Sequence, residues 1–459
     1  MTPSLSQELQ LGLKQFFGTL VLPSSSRTPY TSQSIPTVLA SFTSFLFLAY
    51  LSRRRDTYLI RLLLLPAVIC TSLAWAYRYT FVRGPGYEGM NLYDWGGGLL
   101  VGAMIAKALE YAFTKEGMLK DDELHLKAVG SSSSTTTHQN GTTVYQNGNA
   151  SSQKGSDTNI HLPWMPRGLY DACEVAFSLR GYGFRSGKAT ARPPHARPSH
   201  PTSTFLLRTL LSFLAHFLIL DVVESGFKLV PHIGTTSGGT MFYPSLPPLQ
   251  RYAVSTALHT AVGCALLVGF GVAYDLVTLI GVGLFGSSPE NWPPVIDNPF
   301  RATSLHELWA RRWHQLLRRT FIVFGGIPGY HIFRLFGKTP AQIGMMLGTF
   351  LASGLYHELT IYAMGKGLDW RPVVFFAGQS GLMMLERLWR GLTGKRVCGF
   401  WGGVWVYSCI FVLGQPMTDS WLQRGLAGGL VIPTQISPVR WLLTYLQQWE
   451  LLQGISPSA

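Results

Sequence analysis

The feature that most constrains this chain is a series of long apolar runs separated by short polar stretches. A helix needs about 20 mostly apolar residues to cross a hydrocarbon layer about 30 Å thick. Runs of that kind occupy residues 35–51, 57–77, 94–113, 204–224, 252–285, 340–363, 370–386 and 400–414, with weaker runs at 320–336 and 421–433. In lipid, every backbone N–H and C=O must find its partner inside the protein, so runs of this length point to spanning helices. The expected fold is therefore all-α: a polytopic integral membrane protein with about eight to ten transmembrane helices. The 252–285 run is long enough for one tilted helix or two short ones.

Composition agrees. Charged residues make up 13% of the 459-residue chain and hydrophobic residues 47%, against about 25% charged in ordinary soluble domains. The net charge is +14. In a soluble protein that would raise nucleic acid as a partner. Here the basic residues gather at the ends of apolar runs, the positive-inside pattern, so the expected partner is a bilayer and not a nucleic acid. Arg53-Arg54-Arg55 places the end of the first span in the cytosol, and alternation returns 114–203 and 287–319 to that side. The 320–336 run carries Gly-Gly-Ile-Pro-Gly and reads as re-entrant, which keeps the basic stretch Arg387 to Arg396 cytosolic too. Glu8 and Lys14 break up the early apolar residues, so the first run is expected to be an uncleaved anchor.

Residues 130–160 are a Ser/Thr, Gln, Asn and Gly tract, too polar to order itself, and 187–201 looks equally loose. The sequons at Asn140 and Asn149 fall in this cytosolic stretch and are expected to carry no glycan. Between the two tracts, Gly168 to Phe184 mixes apolar and polar residues at helical spacing, as a surface-lying helix does. None of the five cysteines forms a C-x-x-C pair, so free thiols are expected, with no zinc or other metal site.

Two stretches carry chemistry. The first is Asn298 to Thr320, NPFRATSLHELWARRWHQLLRRT. Ser304 and Glu307 form a capping-box pattern, and Trp309 and Trp313 stand four apart, on one helical face. The second is Ser353-Gly-Leu-Tyr-His-Glu358, inside an apolar run. An ionisable pair there is costly and marks a functional site by default. Other polar residues in apolar runs read as structural: Lys107 with Glu110 as an i,i+3 ion pair, His216 with Asp221, His259, and Asp275.

These two stretches, in this order, resemble the wax-synthase branch of the membrane-bound O-acyltransferases. There a Pro-Phe … Ser-Leu … Phe/Trp-x-x-Arg-Trp-Asn/His signature precedes Ser-Gly-x-x-His-Glu. Ser178-Leu-Arg-Gly-Tyr-Gly-Phe184 is similar to a further family element, and Phe375-Phe-Ala-Gly-Gln379 sits where the family has a late apolar segment. The resemblance covers roughly 169–390. It implies that His357 is the catalytic histidine and His314 the second active-site position. Plant members favour Asn at that second position. His314 is the choice of fungal secondary-metabolism members, which acetylate hydroxyls of terpenoid or meroterpenoid scaffolds.

An alcohol attacks a thioester well only when a base takes its proton, a gain of typically 10²–10⁴-fold. The developing oxyanion wants a fixed donor. His357 suits the first role and His314 the second. No permanently bound cofactor is expected; acyl-CoA, most simply acetyl-CoA, is the co-substrate. Arg311, Arg312, Trp313 and Arg318 are the expected donor-binding residues, the arginines, with Arg319, attracting the phosphates. Asn298, Trp309 and Glu358 are the expected acceptor-binding residues, and the acceptor is a hydrophobic alcohol. The chain then divides into N-terminal transmembrane helices (1–113), a cytosolic loop (114–203) and a catalytic transmembrane core (204–459), in the endoplasmic reticulum membrane. Two other readings are a long-chain-alcohol wax ester synthase and, in a different class, a membrane transporter.

Overall fold

The computed structural model describes residues 5–84, 86–120, 163–187, 190 and 201–452. The low-complexity tract, both sequons and nearly all of 187–201 lie outside the described residues. Helices dominate, and the two strands in the described residues, Thr28–Pro29 and Tyr79–Thr80, form one short parallel pair.

Five segments are long and apolar enough to cross a membrane: Ser32–Ser52, Tyr58–Arg78, Glu88–Phe113, Thr202–Lys228 and Pro248–Leu284. They contain helices α2 (Ile35–Ser52), α3 (Tyr58–Arg78), α4 (Asn91–Phe113), α6 (Thr202–Lys228) and α7 (Pro248–Leu279). The protein is an all-α integral membrane protein. The 252–285 run is one helix, α7, continued by a π-turn over Ile280–Leu284. Helices α11 (Lys338–Ala363, 26 residues) and α12 (Arg371–Thr393, 23 residues) fill two more of the expected spans but are too polar to qualify on composition. The 400–414 run gives α13 (Gly399–Phe411), whose 13 residues reach only about 20 Å. The 421–433 run is no span: it holds the end of α14 (Gln415–Gln423), a 3₁₀ turn and extended chain. Flanking these are α1 (Leu5–Leu20) and a terminal α15 (Pro438–Leu452).

The N-terminal half packs α2, α3 and α4 around Phe45, Leu48, Val68, Met104 and Tyr111. Helix α5 (Arg167–Phe177) buries Ala172, Val175 and Ala176 against that cluster, so the helix expected over Gly168 to Phe184 forms in its first part and gives way to turns from Ser178. Arg54 pairs with Asp171 at 3.0 Å and pins α5 to the end of α2. Two buried arginines close helix C-termini, where carbonyls lack intrahelical partners. Arg61 donates to the carbonyls of Tyr111, Thr114 and Lys115 at the end of α4. Arg27 donates to those of Tyr362 and Ala363 at the end of α11.

The Lys107–Glu110 ion pair does not form. Glu110 binds Arg319, with Nε at 2.7 Å, and Lys107 donates instead to the carbonyls of Val175 and Ser178, each at 3.1 Å. Nor does His216 face Asp221, which accepts from Ser437 Oγ (2.5 Å) and the Val439 N–H (2.9 Å) to hold the C-terminal segment.

Residues 305–336 make a V. The first limb starts at α8 (Leu305–Glu307), whose N-terminal N–H groups at Leu305 and His306 donate to Glu386 of α12. It widens into a π-turn over Leu308–Arg312 and breaks at Trp313. The second limb runs from α9 (Arg318–Phe321) through a π-turn to α10 (Ile327–Phe333) and returns antiparallel to α11. Gly325 lies on Gly348 and Gly329 on Gly344, two small-xxx-small pairs in backbone contact. The Glu386 contacts bring the start of the first limb beside the end of α12, where the Arg387–Arg396 stretch begins.

A Cβ on Gly325 would strike the Gly348 carbonyl, whereas one on Gly378 of α12 meets open space. Gly325→Ala should therefore lose the monodisperse peak in fluorescence-detected size exclusion, and Gly378→Ala should keep it.

Candidate active site

His357 lies on α11, one turn and a half before that helix ends. It is half-buried inside an aromatic cage. Phe376 of α12 stacks on it at 4.6 Å and 16°, Trp421 of α14 stands at 5.9 Å and Phe321 of α9 at 6.2 Å. Trp309 backs the cage: its ring meets Phe376, Phe350 and Trp313 edge-on, and its Nε1 donates to Gln379 Oε1 at 3.1 Å. Gln379 is the one amide in the apolar run of α12 before Glu386, and that isolation was the readable signal for it. Trp421 and Phe270 gave no comparable signal.

His314 follows the break in the first limb. It is buried, against Phe270 of α7 at 4.2 Å and Trp313 at 5.4 Å. The break exposes carbonyls that lipid cannot satisfy. Gln315 answers two of them, donating to Trp309 O at 3.1 Å and Trp313 O at 2.8 Å. The limb's start is closed as the sequence indicates: Ser304 Oγ accepts from the Glu307 N–H at 3.1 Å. Glu307 reaches back to the Thr303 N–H rather than to that of Ser304. Trp309 and Trp313 still meet, edge to face, although the helix has already opened between them.

The Nδ1 of His314 is buried with no hydrogen-bond partner, an unanswered polar atom of the kind that costs about 1–3 kcal/mol and that a bound carbonyl or hydroxyl would answer.

Three expected site residues do something else. Glu358 has both oxygens occupied: Arg424 binds it bidentately at 2.5 and 3.0 Å, and the Asp369 N–H donates at 2.6 Å. It anchors α11 to the end of α14. Arg312 is taken up by Glu307 at 2.7 Å and by the carbonyls of Asp297 and Asn298. Asn298 is exposed in the left-handed region, φ 42°, where its backbone makes a turn. Arg319 is likewise spent on Glu110. Arg311 remains, exposed, with Arg318 half-buried at 3.4 Å from Gln315. Arg387 of α12 joins them. Burial, then Arg387, with lesser pushes from Arg311 and Arg318, keeps the His306 pKa below its usual value despite Glu386. The Ser178–Phe184 element is tied in by Arg180, buried, which donates to Pro294 O at 2.9 Å and to Pro293 and Tyr274. Gly181 and Gly183 take φ of 71° and 83°, which explains the glycine pair around Tyr182.

The sequence model of the membrane bound O-acyl transferase family matches residues 292–378, the stretch holding both histidines. The likeness to that family is confined to this stretch, about a fifth of the chain. Among its relatives, the acetyltransferase eriL of Hericium erinaceus is 26% identical over 270 residues, 56% of this chain and 68% of its own. The acetyltransferase ataH of Aspergillus terreus is 30% identical over 165 residues, 33% and 51% of the two chains. A probable long-chain-alcohol O-fatty-acyltransferase of Arabidopsis thaliana is 38% identical over 95 residues, 20% and 28%. The last two alignments span about half or less of the relative's length. The matched stretch stops short of α14, which supplies Trp421, and of Arg424 just beyond that helix.

Arg424→Met should lower the melting temperature more than the Glu358→Gln/Arg424→Met double variant. The single change strands a buried carboxylate, worth about 3–5 kcal/mol; a thermal-shift series in one detergent reads the order.

Proposed function

We propose that this protein transfers an acetyl group from acetyl-CoA to a hydroxyl of a hydrophobic acceptor, a terpenoid or meroterpenoid of secondary metabolism, in the endoplasmic reticulum membrane. The observation that carries the reading is the presence of two histidines, His357 in an aromatic cage and His314 with a buried Nδ1 left unpartnered, inside the stretch that matches the family. The named acetyltransferases among the relatives support acetyl as the acyl group.

The reaction needs one base and one donor. His357 takes the proton of the acceptor hydroxyl as its oxygen attacks the thioester carbon. A ring N–H of His314 donates to the carbonyl oxygen as charge develops there. The C–S bond then breaks, and the imidazolium of His357 returns its proton to the thiolate of CoA, so no net proton is gained or lost. Arg311, Arg318 and Arg387 form the electropositive face for the phosphates of the donor. Trp313, beside His314, forms the wall between that face and the cage, and Trp309 supports the cage on the acceptor side. A second reading, a fatty acyl donor and a long-chain alcohol, is favoured by the 38% identity to the Arabidopsis relative.

His357→Ala should reduce acceptor-dependent CoA release by about 10²-fold or more. His314→Ala should cost about 10²-fold and His314→Asn about tenfold, because an amide still donates to the oxyanion. Equal losses in the two His314 variants would remove the hydrogen-bond role. Arg311→Ala should raise KM for acetyl-CoA several-fold and leave KM for the acceptor unchanged, a charge-pairing loss. Wild-type turnover in His357→Ala refutes the mechanism. Comparing acetyl-CoA with palmitoyl-CoA on the same preparation separates the two acyl readings.

A further inference from the structure

Helices α6 and α7 hold a polar cluster that the acyl-transfer site does not use. Asp275 Oδ2 accepts from Ser212 Oγ at 2.8 Å and bonds His216 Nδ1 at 2.9 Å. The side chains of His216 and Asp275 are 34% and 14% exposed. Yet α6 and α7 are otherwise apolar here: Leu211, Leu214, Leu218, Leu276 and Val277 are all exposed. An ionisable pair open to that surroundings is expensive, about 2.5–3.5 kcal/mol for an aspartate at mid-helix by insertion scales, and calls for a function.

The chemistry of the cluster is specific. A carboxylate only accepts, so the shared proton sits on His216 Nδ1. In the neutral imidazole Nε2 is then a bare acceptor, oriented by Asp275. Ser212 Oγ also lies 3.4 Å from Nδ1, and among the described residues Nε2 has no hydrogen-bond partner. The ring also has a built seat: a Cβ on Gly271 would come within 2.6 Å of its Nδ1, so glycine there makes the room. The neighbouring residue, Phe270, packs on His314 at 4.2 Å. The cluster and the acyl-transfer site therefore share one turn of α7.

We propose that Ser212, His216 and Asp275 form a second hydroxyl-binding site, in which His216 Nε2 accepts the O–H of an apolar alcohol dissolved in the bilayer. Resting on the function proposed above, this alcohol is the acceptor, held on one side of α7 before it reaches His357 on the other.

The test is equilibrium binding of tritiated farnesol, against farnesyl methyl ether, to the full chain in phosphatidylcholine nanodiscs. The His357→Ala background removes the catalytic base as a competing acceptor. The parent should prefer the alcohol over the ether by about fivefold, one net hydrogen bond. His216→Phe keeps a planar ring over Gly271 and removes the acceptor, and should abolish the preference. If that variant does not purify as a single species, Asp275→Leu removes the carboxylate that fixes Nε2 and should give the same result. An undiminished preference in whichever variant folds, or no preference in the parent, overturns the site. Because binding and not turnover is read, the two proposals fail separately: hydroxyl preference without ester formation by the wild type refutes the acyltransfer reading alone.

Discussion

The structure depends on one constraint: a backbone that breaks inside an apolar protein must have its polar groups answered by side chains. The chain from Leu305 to Arg318 leaves the α-helix twice, at the π-turn and at Trp313. Several groups at and around these breaks have side-chain partners. Glu386 takes the N–H groups of Leu305 and His306, Glu307 that of Thr303, and Gln315 and Arg312 bond four carbonyls between them. Irregular backbone at membrane depth is tolerated only where protein or a cavity replaces water. The break is what turns His314 out of a helix and toward His357, so the polar residues around it serve the chemistry by serving the backbone first.

That hierarchy explains which residues the sequence assigned well. The apolar runs showed the fold class and most helices, since a 20-residue run in lipid has few alternatives. The capping box at Ser304 and Glu307 was local and therefore readable. His357 stood out because an ionisable group in an apolar run needs a reason. Glu358 stood out for the same cause, yet its partner, Arg424, lies 66 residues away, and no spacing rule links them. Arg312 and Arg319 looked like phosphate ligands because free and paired arginines read alike; only the fold brings up Glu307 and Glu110.

What stayed hidden was tertiary. Trp421 and Phe270 are ordinary apolar residues of helices that arrive at the cage from far along the chain. The glycines of α10 and α11 were visible one by one, but their facing register appears only when the two helices are antiparallel. The helix α12 amide Gln379 was legible as an oddity and gained its meaning from the indole of Trp309.

Arg27 has a wider consequence. It comes from the loop before α2, and it closes the end of α11 through the carbonyls of Tyr362 and Ala363, while Arg424 holds the same end from the opposite direction through Glu358. The two clasps bracket the stretch that matches the family model, though neither guanidinium belongs to it. Inheritance and architecture therefore have different borders in this chain. A graft that moved residues 292–378 into a related scaffold would carry both histidines and leave behind the two guanidinium groups that keep their helix from fraying. The donor loops at Arg27 and Arg424 would have to travel with it.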